Sequence, residues 1–86
     1  MALYFNKHEK MGTSALKEIL STYYTYYITG LGTHVVELEF FNHITGAQET
    51  KVYKGRTNKE AWAKARRETT RRQNICNKLY SHLMED

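Results

Sequence analysis

The chain has 86 residues and a mass of 10.1 kDa, the amount of sequence that builds one domain. Its single cysteine, Cys76, excludes an internal disulfide and a Cys-rich zinc site, and its size excludes a deep substrate cavity. The net charge of +4 is unevenly spread: residues 1–53 carry four Lys and five Glu, whereas residues 54–86 carry nine Lys or Arg against three Glu and one Asp. The positive field therefore belongs to the C-terminal segment, and a polyanion is the first class of partner to consider.

In chain order, residues 1–12 read as an N-terminal arm, ended by Gly12, ahead of a single domain over residues 13–86. The opening MALYFNKHEK lacks the charged-then-apolar order of a secretory signal, and no run approaches the roughly 20 apolar residues of a membrane span. The expected location is the cytoplasm, with no membrane partner. Leu16, Ile19, Leu20 and Tyr23 follow the i, i+3, i+4, i+7 spacing of an amphipathic helix that Thr13 or Ser14 can cap. TYYTYYIT, residues 22–29, is dense in aromatic and β-branched side chains and reads as a strand. After the two glycines of GLGTH, Val36, Leu38 and Phe40 alternate with Glu37 and Glu39, the period of a half-buried strand. NHITG predicts a hairpin turn and AQETKVYK a third strand.

From Thr57 the pattern becomes helical. Thr57 can be an N-cap, Glu60 can complete a capping box, and the helix should start near Asn58. At 100° per residue, Ala61, Trp62, Ala65, Thr69, Cys76, Leu79, Tyr80 and Leu83 share one arc of about 100° that forms the core face. Arg72 falls inside that arc, where an apolar residue is expected, although its stem can snorkel to water. The predicted fold is α+β: a three-stranded antiparallel sheet packed against a short N-terminal helix and a long C-terminal helix, in the order αβββα.

The last helix carries most of the charge. Lys59 and Arg66 lie together on its projection, near Thr70 and Gln73, while Lys64, Arg67, Arg71 and Lys78 form a second stripe. Lys54 and Arg56 stand just before the helix, whose N-terminus itself attracts phosphate. Lys and Arg in such an array bind a nucleic-acid backbone without reading sequence.

GRTNKEAWAKAR, residues 55–66, resembles the C-terminal signature of double-stranded RNA-binding domains, in which a glycine precedes Ser-Lys-Lys-x-Ala-Lys-x-x-Ala-Ala. Gly55 stands at the glycine, Thr57 at the serine, Lys59 at the second lysine, and Ala61 and Ala65 at packing alanines. Asn58, Trp62 and Arg66 depart from the pattern. Gly30 or Gly32 before His34, with Leu38 and Phe40 downstream, parallels the family's first hairpin, although the proline of its Gly-Pro-x-His element is missing. The resemblance spans about residues 13–83. It implies the αβββα order, a minor-groove contact by His34 and a phosphate contact by Lys59. Lys54, Arg56 and Arg66 join the expected site on electrostatic grounds alone. The implied function is non-catalytic: binding of structured or double-stranded RNA that sequesters, masks or scaffolds it.

Two rivals compete with this reading. One is a small inhibitor or antitoxin-like protein, phage-encoded in the simplest version, that binds a host protein such as a nuclease. The other is a sheet-reading DNA-binding domain similar to arm-type integrase and plant AP2-like domains, which would use Tyr24, Tyr26, Glu37, Glu39 and Lys51 on an exposed sheet face. Its two glutamates would stand unfavourably near phosphates. The tyrosines of TYYTYYIT could stack on unpaired bases, or an uncovered edge of that strand could form a homodimer. Catalysis, metal and cofactors find no support in the sequence. His8, His34, His43 and His82 are scattered without ligand spacing, and Cys76 falls on the core face.

Overall fold

The computed structural model describes residues 3–11 and 19–80. They form four strands, β1 (Leu3–Lys10), β2 (Leu20–Ile28), β3 (His34–Asn42) and β4 (Gln48–Gly55), and one helix, α1 (Asn58–Leu79). The strands make one antiparallel sheet in the order β1-β2-β3-β4, with α1 on one face. The α+β class, the antiparallel sheet and the C-terminal helix agree with the sequence reading. The αβββα order does not, because among the described residues no helix precedes the sheet.

The expected N-terminal helix gives way to strand at its C-terminal end. Leu20 and Tyr23 belong to β2, and the strand wins because it is hydrogen-bonded on both sides, to β1 and to β3. Its alternation places Leu20, Thr22, Tyr24 and Tyr26 on the helix side opposite Asn42, Phe40, Leu38 and Val36. Leu16 and the proposed caps Thr13 and Ser14 lie outside the described residues, as does Leu83. The segment read as an arm supplies β1, so the sheet has four strands rather than three.

Register and core follow from period-two burial on β3. Val36, Leu38 and Phe40 are 0–2% exposed beneath the helix, as their alternation with Glu37 and Glu39 predicts. Ile19, Leu20, Tyr26, Ala61, Ala65 and Cys76 complete the core. The two alanines let the helix backbone lie close to the sheet. Leu79, expected in the core, is 62% exposed, because it sits at the end of a helix that outruns the sheet. At about 1.5 Å per residue the 22 residues of α1 span about 33 Å, against about 26 Å for an eight-residue strand.

The helix is also displaced sideways. Its backbone lies mainly over β4 and β3 and away from β1, and Trp62 and Gln73 reach β2, the Trp62 ring 5.1 Å from that of Tyr24 and the Gln73 amide 3.3 Å from the Leu20 carbonyl. A helix about 10 Å across covers about two strands spaced about 4.8 Å apart, so a four-stranded sheet with one helix leaves half of that face without a helix above it.

Candidate nucleic-acid interface

The basic helix is launched by a turn that the sequence specifies closely. Thr57 adopts extended angles (φ −132°, ψ 159°) and its Oγ1 accepts the Glu60 amide at 3.1 Å, an N-cap as predicted. Glu60 reaches back to the Arg56 amide at 3.4 Å rather than to that of Thr57. Gly55, the glycine of the motif, has a packing reason of its own: a Cβ there would stand 2.7 Å from the Ala61 nitrogen.

The pairing of His34 with Gly55 and of Val35 with Lys54 brings His34, Lys54, Arg56 and Lys59 to the end of the molecule where α1 begins. They do not share one surface. Tyr53 packs toward the core, so by alternation Lys54 projects from the helix-free face of β4. His34 is half-buried, with Nδ1 2.6 Å from the Tyr26 hydroxyl and its ring stacked 6.0 Å from that of Tyr26. That engagement makes His34 part of the packing, which the glycine-histidine resemblance did not anticipate. Arg56, Lys59 and Arg66 are exposed, and Arg66 lies over the Trp62 ring at 5.7 Å.

Ion pairing sorts the cations further. In the second stripe, Lys64 donates to the Lys54 carbonyl at 2.9 Å and pairs with Glu60 at 3.8 Å, and Arg71 is held by Glu68 at 2.6 Å. Arg67 and Lys78 make no ion pair among the described residues, nor do Lys54, Arg56, Lys59 and Arg66. The outward arc of α1 thus presents Lys59, Arg66 and Arg67 with Ala63, Thr70 and Asn74 between them.

Arg72 explains its own misplacement on the core arc. Its guanidinium lies 4.5 Å from the Phe40 ring centre and bonds Glu49 at 2.5 Å and Glu68 at 2.6 Å, so a cation caps the core while its charge is matched from both elements. Arg71 and Arg72 hold the Glu68 carboxyl down at about 2, and Arg72, with help from Lys51, holds Glu49 at about 2. Both carboxylates are thereby tied to cations on the β4 side of the helix, away from Lys59 and Arg66.

The sheet's helix-free face carries Tyr4, Tyr23, Tyr27, Glu37, Glu39, Val52 and Lys54. Tyr27 donates to Glu37 at 3.0 Å, and Glu39 accepts from Gln48 and meets His8 Nε2 at 3.0 Å. The residue set of the sheet-reading alternative is consequently split: Glu37 and Glu39 are on this face, while Tyr24, Tyr26 and Lys51 are on the helix side. TYYTYYIT has no free edge either, since β1 covers it.

Among the described residues no group of three His, Cys, Asp or Glu could hold a metal ion, and no helix is long and apolar enough to cross a membrane. Cys76 is buried, which raises its thiol pKa. An open wedge of about 300 Å³ between the end of α1 and the β3–β4 hairpin is lined by Leu20, Phe40, Ala47, Ile75 and Cys76, with Arg71 and Arg72 at its side. The sequence did not reveal Phe5, 57% exposed on β1 and 5.3 Å from the Tyr26 ring. The aromatic density of LYFNKHEK was the available signal. No family model, no curated protein and no solved structure matches the chain.

Proposed function

We propose that the protein is a non-catalytic RNA-binding module that holds the sugar-phosphate backbone on the outward face of α1 through Arg56, Lys59, Arg66 and Arg67. One observation carries this reading: these four cations make no ion pair among the described residues, whereas Lys64, Arg71 and Arg72 beside them are matched by Glu60, Glu68 and Glu49. A fold that needed its arginines only for packing would pair them as it pairs Arg72. Small and amide side chains between the cations leave room for a backbone to approach.

Three or four phosphate contacts predict a slope of log affinity against log salt of about −2 to −3 on RNA. The charge reversals Lys59→Glu and Arg66→Glu together should abolish retention on RNA while the helical signal and melting temperature persist. RNA affinity indifferent to salt, or unchanged by the double reversal, refutes the proposal. Competition with duplex DNA of equal length separates RNA from DNA binding, and the proposal expects RNA to win.

A protein-binding inhibitor is the second reading, favoured by the exposure of Leu3, Tyr4 and Phe5, each more than half accessible. Isolation from cells with half of the sample treated with nuclease discriminates between the two. Retained material that vanishes on treatment is RNA, whereas a stoichiometric protein that survives it supports the inhibitor.

A further inference from the structure

Because α1 sits mainly over β3 and β4, no helix among the described residues lies above β1, whereas on the helix side of β2 Leu20, Thr22 and Tyr26 are buried and Tyr24 lies 5.1 Å from Trp62. A series of ring contacts runs from the β1 margin to the helix, with Tyr26 buried in its middle. Phe5 lies 5.3 Å from Tyr26, Tyr26 lies 6.1 Å from Trp62, and Arg66 lies 5.7 Å above Trp62. Phe5 and Leu3 at the outer margin are 57% and 59% exposed, an unusual state for two large apolar side chains on adjacent rungs of an edge strand. At the inner margin stand Arg66 and, about one and a half to two turns earlier on the same flank, Lys59, neither of them in an ion pair among the described residues. Glu9 accepts the Tyr24 hydroxyl at 2.9 Å and stands at the opposite end of β1 from Phe5.

Exposed Phe5 and half-buried Trp62, bordered on one side by cations with no ion pair among the described residues, have the chemistry of a base-stacking site: the accessible rings receive bases, and the cations outside them receive the phosphates. A purely apolar protein partner would leave Arg66 and Lys59 without a counterpart. A continuous duplex would satisfy the cations but could offer the rings nothing, since its bases are stacked on one another. The helix-free face also carries tyrosines, but Glu37 and Glu39 occupy its central strand and repel phosphate.

We propose that Phe5 and Trp62, on either side of buried Tyr26, seat unpaired bases of single-stranded RNA whose phosphates run along Arg66 and Lys59. The inference rests on the phosphate reading above and adds the class of ligand: unpaired strand rather than duplex.

Trp62 is the only tryptophan and belongs to the proposed site, so its fluorescence reports occupancy directly. Titration with a uridine oligonucleotide of about 12 residues should quench Trp62, and a blunt RNA duplex of similar length should not. Phe5→Ala, at an exposed position, should weaken binding of the single strand about 5- to 150-fold and leave duplex affinity unchanged. Thermal melting of the variant verifies its fold, and Phe5→Tyr, which keeps a ring, should restore affinity. Absence of quenching, an unchanged single-strand affinity in Phe5→Ala, or equal losses on single strand and duplex overturns the inference while the phosphate reading stands. Failure of both RNAs to bind removes the phosphate reading and this inference together. Equal quenching by the matching oligodeoxythymidine transfers the occupant to DNA and overturns the RNA assignment.

Discussion

Replacement of Gly55 by alanine tests whether the glycine of the motif belongs to the fold or to the ligand. The added Cβ would stand 2.7 Å from the Ala61 nitrogen, 2.9 Å from the Glu60 Cβ and 3.1 Å from its Cγ. The Glu60 side chain can swing away, but the Ala61 nitrogen cannot. It is backbone, it donates to the Thr57 carbonyl at 3.1 Å, and its residue is fully buried against the sheet. Relief therefore requires the first turn of α1 to lift from β4, a cost of the kind seen for overpacked cores, about 1–3 kcal/mol. Alanine also restricts the unfolded chain, which returns about 0.4–1 kcal/mol. The expected net loss is about 1–2 kcal/mol, and for a chain of this length the melting temperature should fall by about 5–15 °C. Thermal denaturation followed by helical circular dichroism and by Trp62 fluorescence measures it. A variant as stable as the parent refutes the close-approach argument. If that variant also lost RNA affinity, Gly55 would serve the ligand rather than the fold.

Neutralising the paired cations, Lys64→Gln with Arg71→Gln, should change the salt slope on RNA by less than one, whereas Lys59→Gln with Arg66→Gln should reduce it by about 1.4; equal effects would refute the sorting of cations by ion pairing. Glu49 and Glu68 have carboxyl pKa values lowered to about 2, so their contribution to stability is present above the ordinary carboxylate range near 4.5 and is lost as pH falls from there toward 2. Acid titration of the melting temperature should show that decline, and Arg72→Met should flatten it. Leu38→Ala, at a fully buried site, should cost about 2–5 kcal/mol, and Leu79→Ala, at a largely exposed one, less than about 0.5 kcal/mol in urea denaturation. Comparable losses would mean that the end of α1 packs against the protein after all.

From β3 onward the chain was legible because each of its signals is local. Thr57 and Glu60 define a helix start within four residues, and Val36, Leu38 and Phe40 declare a strand by alternation alone. The stretch before β3 was less so, for two physical reasons. Leu16, Ile19, Leu20 and Tyr23 match a helical spacing, but Leu20 and Tyr23 stand on opposite faces of β2, and pairing with β1 and β3 at long range overrides that spacing. LYFNKHEK gave no clean period because β1 is interrupted: its pairing with β2 shifts between Tyr4 and Asn6 and again between Asn6 and Glu9, and His8 adopts φ +53°. A bulged strand loses the period of two that would have announced it. The proposed site inherits the same division. Its cations were visible as a run of Lys and Arg, whereas Phe5 joins them only once β1 is paired. Lys64 and Arg71 are matched by Glu60 and Glu68 on their own helix, whereas Arg72 also takes Glu49, 23 residues away.

The bulged β1 edge leads to a prediction about association. A four-stranded sheet has two edges, and each is blunted here. On β1 the two register shifts and the left-handed backbone at His8, whose N–H donates to Thr25 Oγ1 at 3.0 Å and whose ring meets Glu39, break the row of outward groups that a second strand would need. On β4 the edge carries Lys51 and Lys54, and Lys64 occupies the Lys54 carbonyl. The flat, aromatic strand that would pair readily, TYYTYYIT, is internal. The intact chain should therefore sediment as a monomer at about 100 μM, in a range where weak strand pairing would be visible. Removal of residues 1–10 should uncover the β2 edge and produce dimers or larger species. Self-association of the intact chain at micromolar concentration, abolished by a proline within β4 or β1, would show that an edge is open and would refute the blunting argument. A truncated chain that stayed monomeric and folded would show that β1 is not what protects β2.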